Sequence, residues 1–265
     1  MSDLRQYSHK ALARRVICAL AVLLLMSCGV TPSIQPQHYR FHLTRHQIFR
    51  KIQLGLRRTW LLYRLDRSHT RILVYAYRGG PLASFGHNHV IEVKHERGLW
   101  LTNGKQGMGW LCFGLRSMIV DSPAIRRRLG PGFKSVISPS ATRATRRHML
   151  ESLDAQRYPD VLLAISSSLI PDHSWLIHIT LHGKTWSHNL SLVYASTPLH
   201  VLARTKFDIR QSYFGIHPYA ILGGALHVRN RITLDAQITA SRVHGHSFTY
   251  TDFIQNWCPG GKVVS

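Results

Sequence analysis

The sequence predicts an all-β chain, an antiparallel barrel or sandwich with one helical insertion. Three observations carry that prediction. Several segments alternate apolar and polar residues with a period of two, as strands do when one face is buried and the other is wet. Glycines and prolines punctuate them at short intervals, and one stretch has helical spacing instead. Strands begin at about Tyr63. The helical stretch runs from Ser140 to Leu153, with Met149, Leu150 and Leu153 on one face and Pro159 fixing its end. Alternation resumes at Leu176–Leu181, which sets Ile177, Ile179 and Leu181 inward, and continues through Leu190, Leu192 and Tyr194. Ala203, Thr205, Phe207 and Ile209 share a face in the next strand, and Ile232 to Ala240 alternates over nine residues. Gly79-Gly80-Pro81, Gly183, Pro198, Pro218 and Gly223-Gly224 mark the turns.

Length and composition narrow the class. The 265 residues suffice for one sizeable core or two small ones. The 34 Lys and Arg against 12 Asp and Glu leave +22, yet charged residues make up only 17%, below the roughly 25% of an average soluble domain. Apolar residues reach 45%, which excludes a disordered polyelectrolyte. An isoelectric point near 10.8 points to an anionic neighbour, nucleic acid or an acidic membrane. No nucleic-acid motif or regular set of stacking aromatics accompanies the basic clusters, so nucleic acid is not expected as a partner.

Residues 1–28 read as an export signal. Arg5, Lys10, Arg14 and Arg15 precede the apolar run Val16–Met26, whose eleven residues are too few for a bilayer span of roughly 20. Leu25-Met26-Ser27-Cys28-Gly29 then resembles a bacterial lipobox, with Cys28 the acylated residue and Met26 bulkier than usual at its position. Gly29 rather than Asp after that cysteine suggests the outer membrane, so the chain is expected in the periplasm or anchored as a lipoprotein. Cys18 would leave with the signal. Cys112 and Cys258 then remain, either as one disulfide in an oxidising compartment or, for Cys112, as a buried thiol in the run Met108–Leu115.

Residues 29–61 read as a basic amphipathic linker. From Arg40 to Arg71 there are nine Lys and Arg and one acid, Asp66. At 100° per residue Phe41, Ile48, Phe49, Ile52 and Leu56 share a face opposite Arg40, Gln47, Arg50, Lys51, Arg57 and Arg58, which suits an anionic lipid surface or a stalk. Arg45 falls on the apolar side, and Gly55 weakens the helix by about 1 kcal/mol. Ser122 to Leu150 adds seven Lys and Arg with no acid.

Four motifs and a sub-group turn, in order, resemble one family. Tyr63-Arg64-Leu65-Asp66 with Ser68 and Ile72 resembles the opening strand of the YceI-like, lipocalin-like barrel proteins, and Gly86-His87-Asn88-His89 a sub-group with a GHNH turn. Leu153-Asp154-Ala155-Gln156-Arg157-Tyr158-Pro159-Asp160-Val161, Ile179-Thr180-Leu181-His182-Gly183-Lys184-Thr185 and Phe207-Asp208-Ile209-Arg210-Gln211-Ser212-Tyr213-Phe214-Gly215-Ile216 are similar to three further family elements. Tyr213 replaces a usual Asp, and Trp186 stands where a basic residue is common. The resemblance implies an eight-stranded antiparallel barrel over residues 62–240, with a C-terminal tail at 241–265, enclosing a tunnel that in some members holds an isoprenoid lipid or quinone tail. A barrel of about eight strands is just wide enough for a small ligand. The lining expected from alternation is Ile72, Val74, Leu163, Ile165, Ile177, Ile179, Leu192, Phe207, Ile209, Ile232, Leu234 and Ile238, unless these residues simply fill a core.

Catalytic signatures are absent: there is no Gly-Xaa-Ser-Xaa-Gly, P-loop or dinucleotide fingerprint. Asp154, Asp208 and Asp235 sit in strand or capping contexts, the latter two on polar faces. His87 and His89, one residue apart, could present both imidazoles to a transition metal, with a third ligand from His182, His188, His244 or His246. With 18 His in the chain, chance pairs are common, and a polar patch at a barrel mouth or a plain structural role fits as well. The expected function is a non-catalytic envelope protein that binds an isoprenoid or other long-chain lipid and requires no cofactor. The alternatives are a metal-binding or redox-handling periplasmic protein built on His87 and His89, and a structural protein docked to an anionic membrane by its basic face.

Overall fold

A computed structural model describes residues 44–167, 174–244, 248–255 and 257. Thirteen strands form one antiparallel sheet: β1 (Leu61–Leu65), β2 (Arg71–Gly79), β3 (His89–Glu92), β4 (Arg97–Thr102), β5 (Gly107–Gly114), β6 (Ile119–Val120), β7 (Asp160–Ser167), β8 (Trp175–Leu181), β9 (Lys184–Leu190), β10 (Val193–Ser196), β11 (His200–Arg210), β12 (Ala220–Ile221) and β13 (Leu226–Arg242). Four α-helices accompany them among the described residues: α1 (Arg45–Arg57), α2 (Pro123–Arg126), α3 (Pro139–Ser152) and α4 (Tyr250–Gln255). The chain is thus all-β with a few helices. The signal, the lipobox and Cys28 lie outside the described residues.

The spine is β13, whose alternating sequence lets it pair along both edges. One edge takes β11 from Arg210↔Arg231 to His200↔Ser241. The other takes β2 along Gly79–Arg71 and then β1 at Leu65–Tyr63. From β1 the sheet continues through β4, β5, β7, β8 and β9, and from β2 through β3 and β6.

The expected closed barrel of eight strands is not formed. Among the described residues no ladder joins β9 to β10 or β11, so the sheet is open along that seam. Side chains bridge it instead. Trp186 on β9 stacks on Tyr213, in the turn after β11, with ring centroids 5.7 Å apart and planes 11° apart. His182 Nδ1 hydrogen-bonds Phe214 O at 3.0 Å. On the same seam Trp175 of β8 packs on Tyr194 of β10 at 5.0 Å. The extra strands arise because β1 and β2 share one edge of β13, and because β6, β10 and β12 are short pieces paired to longer neighbours.

Three clusters fill the fold. The largest lies on the concave face of the sheet. A second lies outside β4 and β5, where Ile48 and Ile52 of α1 pack with Leu99, Leu101, Trp110, Cys112, Phe253 and Trp257. This is why Gly107–Gly114 reads as a nearly continuous apolar run rather than an alternation: both of its faces are covered. The apolar face of α1 is therefore occupied by protein, and a Cβ at Gly55 would lie 2.3 Å from Leu101 Cδ2. Cys112 is buried and disulfide-bonded, and the other three cysteines lie outside the described residues. The third cluster sets Leu73, Tyr75 and Val90 against Ile125, Leu129 and Phe133 of the basic segment.

The helical stretch expected at Ser140–Leu153 is α3. Ser138 caps it, its Oγ accepting from Ala141 N at 3.2 Å, and Pro139 occupies the first turn, where no donor is needed. Met149, Leu150 and Leu153 pack on the concave core.

Candidate functional site: an apolar cavity with a polar rim

The concave face holds a cavity of about 380 Å³. Strand register explains its walls. Leu234, Val74, Ile91 and Val120 follow one another across β13, β2, β3 and β6 as one row of paired residues, with Phe207 of β11 beside Leu234 but outside the cavity wall. Ile209, Ile232, Ala76 and His89 form the next row, two residues nearer the open end. Phe113, Val161 and Ile179 face them from the other wall, and Met149 and Leu153 of α3 cover the side. The cavity reaches the surface where its lining residues are exposed, at Phe85, Tyr219 and Ile221.

Toward the other end the interior is solid. Trp100, Trp175 and Tyr194 pack together with centroids 5.0–5.5 Å apart. A Cβ at Gly109 would meet the Trp100 ring at 2.3 Å, so only glycine lets that indole lie across β5.

The twelve residues expected as lining divide accordingly. Val74, Ile179, Ile209, Ile232 and Leu234 line the cavity. Ile72, Leu163, Ile165, Ile177, Leu192, Phe207 and Ile238 belong to the same concave core but not to the cavity wall. Missed by the sequence reading were Ile91, Phe113, Leu115, Met118, Val120 and Phe214. Most of these sit in short strands or turns, where no alternation is long enough to read.

Polar groups gather at the rim: Arg78, His87, His89, His148, Gln211 and His227. His89 opens β3, His87 lies in the turn before it, and both line the wall. Asn88 between them serves the turn, accepting from Arg78 N at 3.1 Å and donating to Gly132 O at 3.0 Å. Behind His89 is a group that sequence reasoning missed. Asp121, 3% exposed, sits 2.6 Å from His89 Nδ1 and accepts from Val90 N at 3.1 Å and Arg126 Nη1 at 2.7 Å. Arg126 is itself buried, and its second Nη donates to Ser135 O and Oγ at 3.1 and 3.0 Å. Burial pushes the Asp121 carboxyl up, but the bonds from His89, Val90 and Arg126 outweigh it and hold the pKa below its ordinary value. An ionised carboxylate only accepts, so His89 Nδ1 carries the proton, and Nε2 remains as the ring's second polar atom. The available sequence signal was that Asp121 is the one acid between Glu96 and Glu151.

Burial lowers the His87 pKa, and the charges of His89, Arg126 and Arg78 act in the same direction, favouring the neutral ring. His148 stacks on Tyr219 at 4.3 Å, and His227 Nδ1 bonds Gly224 O at 2.8 Å. Among the described residues no three His, Cys, Asp or Glu side chains come together in a way that would hold a metal ion. Of the third ligands considered, His182 is bonded at the seam, His188 stacks on Trp186, His244 is exposed and His246 lies outside the described residues. Asp208 pairs with Arg231, and Asp235 with Lys206 at 3.8 Å, so neither forms an acid–base couple with a second carboxylate. The arrangement can take an apolar chain inside and hold a polar end at the rim.

No protein-family model matches this chain, and no curated protein matches it in sequence. Among solved structures it is similar to the crystal structure of Burkholderia cenocepacia BcnA, with a TM-score of 0.47 and 9% identity over 66% of this chain and 98% of that one.

Proposed function

We propose that this chain is a non-catalytic lipid-binding protein of the cell envelope, whose cavity takes the tail of an isoprenoid, a quinone or another long-chain lipid. The observation that carries the reading is a cavity of about 380 Å³ lined mostly by apolar side chains, with a few polar ones, His87 and His89 among them, on its wall. That size falls in the roughly 300–1,000 Å³ range of small-ligand pockets. The YceI-like motifs and the lipobox-like Leu25–Gly29 support it, and with them an exported chain anchored through Cys28. Each buried CH₂ is worth about 0.8 kcal/mol, so ten carbons gain roughly 8 kcal/mol before ordering costs, enough for micromolar binding at best.

The test is lipid uptake by purified protein, read by organic extraction and by displacement of a fluorescent fatty probe. Leu234 is paired between Phe207 and Val74 in the middle of one wall, and Leu234→Trp should fill the cavity and reduce uptake at least tenfold while preserving the β signature. Wild-type protein that carries no lipid and takes up no probe would refute the reading.

A further inference from the structure

The cavity mouth is itself a surface with unusual chemistry. Among the described residues, four of the nine exposed large apolar side chains, Phe85, Tyr219, Ile221 and Leu222, belong to the two loops that flank it. Phe85 is 78% exposed and Leu222 69%. The loops are fixed to one another, Leu82 N donating to Ala225 O at 2.9 Å, and Gly80 lies so close to Ala225 that a Cβ would come 2.4 Å from its carbonyl oxygen. Leu222 has φ +51, a left-handed conformation that costs an ordinary residue, and the two glycines after it have nothing within 4 Å of a Cβ. A large apolar side chain thus stands at an open loop tip, on a strained but tethered backbone.

The charge around this rim is mainly positive. Arg78 lines the mouth, and Arg229 donates to the Arg78 carbonyl at 3.0 Å. The α3 helix covers one side of the cavity and carries exposed Arg143 and Arg147. The nearby acid is Glu151, already engaged by His148 at 3.2 Å and Arg147 at 3.8 Å. Exposed apolar tips inside a cationic ring complement an anionic bilayer, with apolar side chains entering the acyl boundary and cations meeting head groups. We infer that the protein docks on anionic membranes through this mouth, so that the cavity opens onto the lipid surface. The surface that docks is therefore not the amphipathic face of α1, which packs against β4. The inference does not depend on what the cavity holds.

Flotation of the full-length, unacylated protein with vesicles of phosphatidylcholine, alone or mixed with phosphatidylglycerol, tests it. Binding should require the anionic lipid and weaken with salt. Phe85→Ser with Leu222→Ser should reduce the bound fraction at least about tenfold. Val193→Ser with Leu199→Ser, also exposed but with Leu199 just before the far end of β11 and Val193 paired at Arg204 in its middle, should change it less than twofold. Both pairs are exposed, and far-UV circular dichroism confirms folding. Unchanged binding in the mouth variant, equal loss in both variants, loss only when Arg50 and Lys51 of α1 are neutralised, or a mouth-dependent dimer without vesicle binding would each overturn the inference. The Leu234→Trp protein should still float, which separates failure of lipid uptake from failure of docking.

Discussion

The buried group behind His89 offers the sharpest test of the site's construction. In Asp121→Asn the side chain keeps one acceptor oxygen and replaces the other with a donor. That donor must face either His89 Nδ1 or Arg126 Nη1, both of which donate to the wild-type carboxylate. The substitution spares the backbone, because Asp121 has φ +53 and Asn tolerates that conformation. What is lost is the counter-charge of a guanidinium whose side chain is 7% exposed. Removing one partner of a buried ion pair costs about 3–5 kcal/mol, and a chain of this size shifts its melting temperature roughly 2–4 °C per kcal/mol. A fall of about 6–20 °C is therefore expected in thermal unfolding at pH 7. Because the folded-state pKa of Asp121 is lowered, its contribution is present above the unfolded value near 4 and is lost as pH falls through the folded one; variant and wild type should converge only in acid. Adding Arg126→Met to Asp121→Asn should recover part of the loss by removing the uncompensated cation. A single variant within about 1 kcal/mol of wild type by urea unfolding, or a double variant no better than the single one, would refute the account.

Two further outcomes follow from the packing. In Gly55→Ala the gain in helix propensity, about 1 kcal/mol, should be outweighed by the clash with Leu101, fully buried and 2.3 Å from the new Cβ; a net loss of about 1–3 kcal/mol is expected in denaturant unfolding. His87, its pKa lowered first by burial, must take up a proton on unfolding at acid pH, so it supports the fold above about 6.5 and that support is lost as pH falls toward its folded value. His87→Gln should flatten the dependence of the urea midpoint on pH below about 6.5.

How much of this was legible depends on how many faces each element shows to water. β11 and β13 each have a wet side, so Phe207, Ile209, Ile232 and Leu234 announced their inward face by alternation. β5 is covered by the core on one face and by α1 and α4 on the other, and its residues announced no face. The periodicity of α1 identified its apolar stripe but not what covers it, since an amphipathic helix looks the same to a bilayer and to a sheet. Closure of the sheet was not legible at all. It depends on the partner of β9, and the two residues that departed from the family pattern, Trp186 and Tyr213, stack on each other across the open seam.

The division of the interior into cavity and core has a similar origin. A period of two says which side a residue faces but not how far along the strand the interior is filled, because depth is set by side chains on other strands. Ile165 and Ile177 pair with each other just as Ile209 and Ile232 do, and the four read alike in sequence. They differ in what stands opposite. Tyr194, Ala203 and Ile238 follow one another across β10, β11 and β13, and Tyr194 meets Trp100 and Trp175 in the aromatic cluster that blocks that end. Trp100 can reach across only because position 109 has no Cβ. Nearer the mouth, Val74, Ala76 and Val120 line the open space together with Phe113, Met118 and Phe214. The aromatic rings packed over Gly109 thus fill one end of the interior, and the cavity occupies the other. Under the proposed lipid-binding reading, a tail entering past Phe85 would meet this filled interior, which would limit the length of chain the cavity takes.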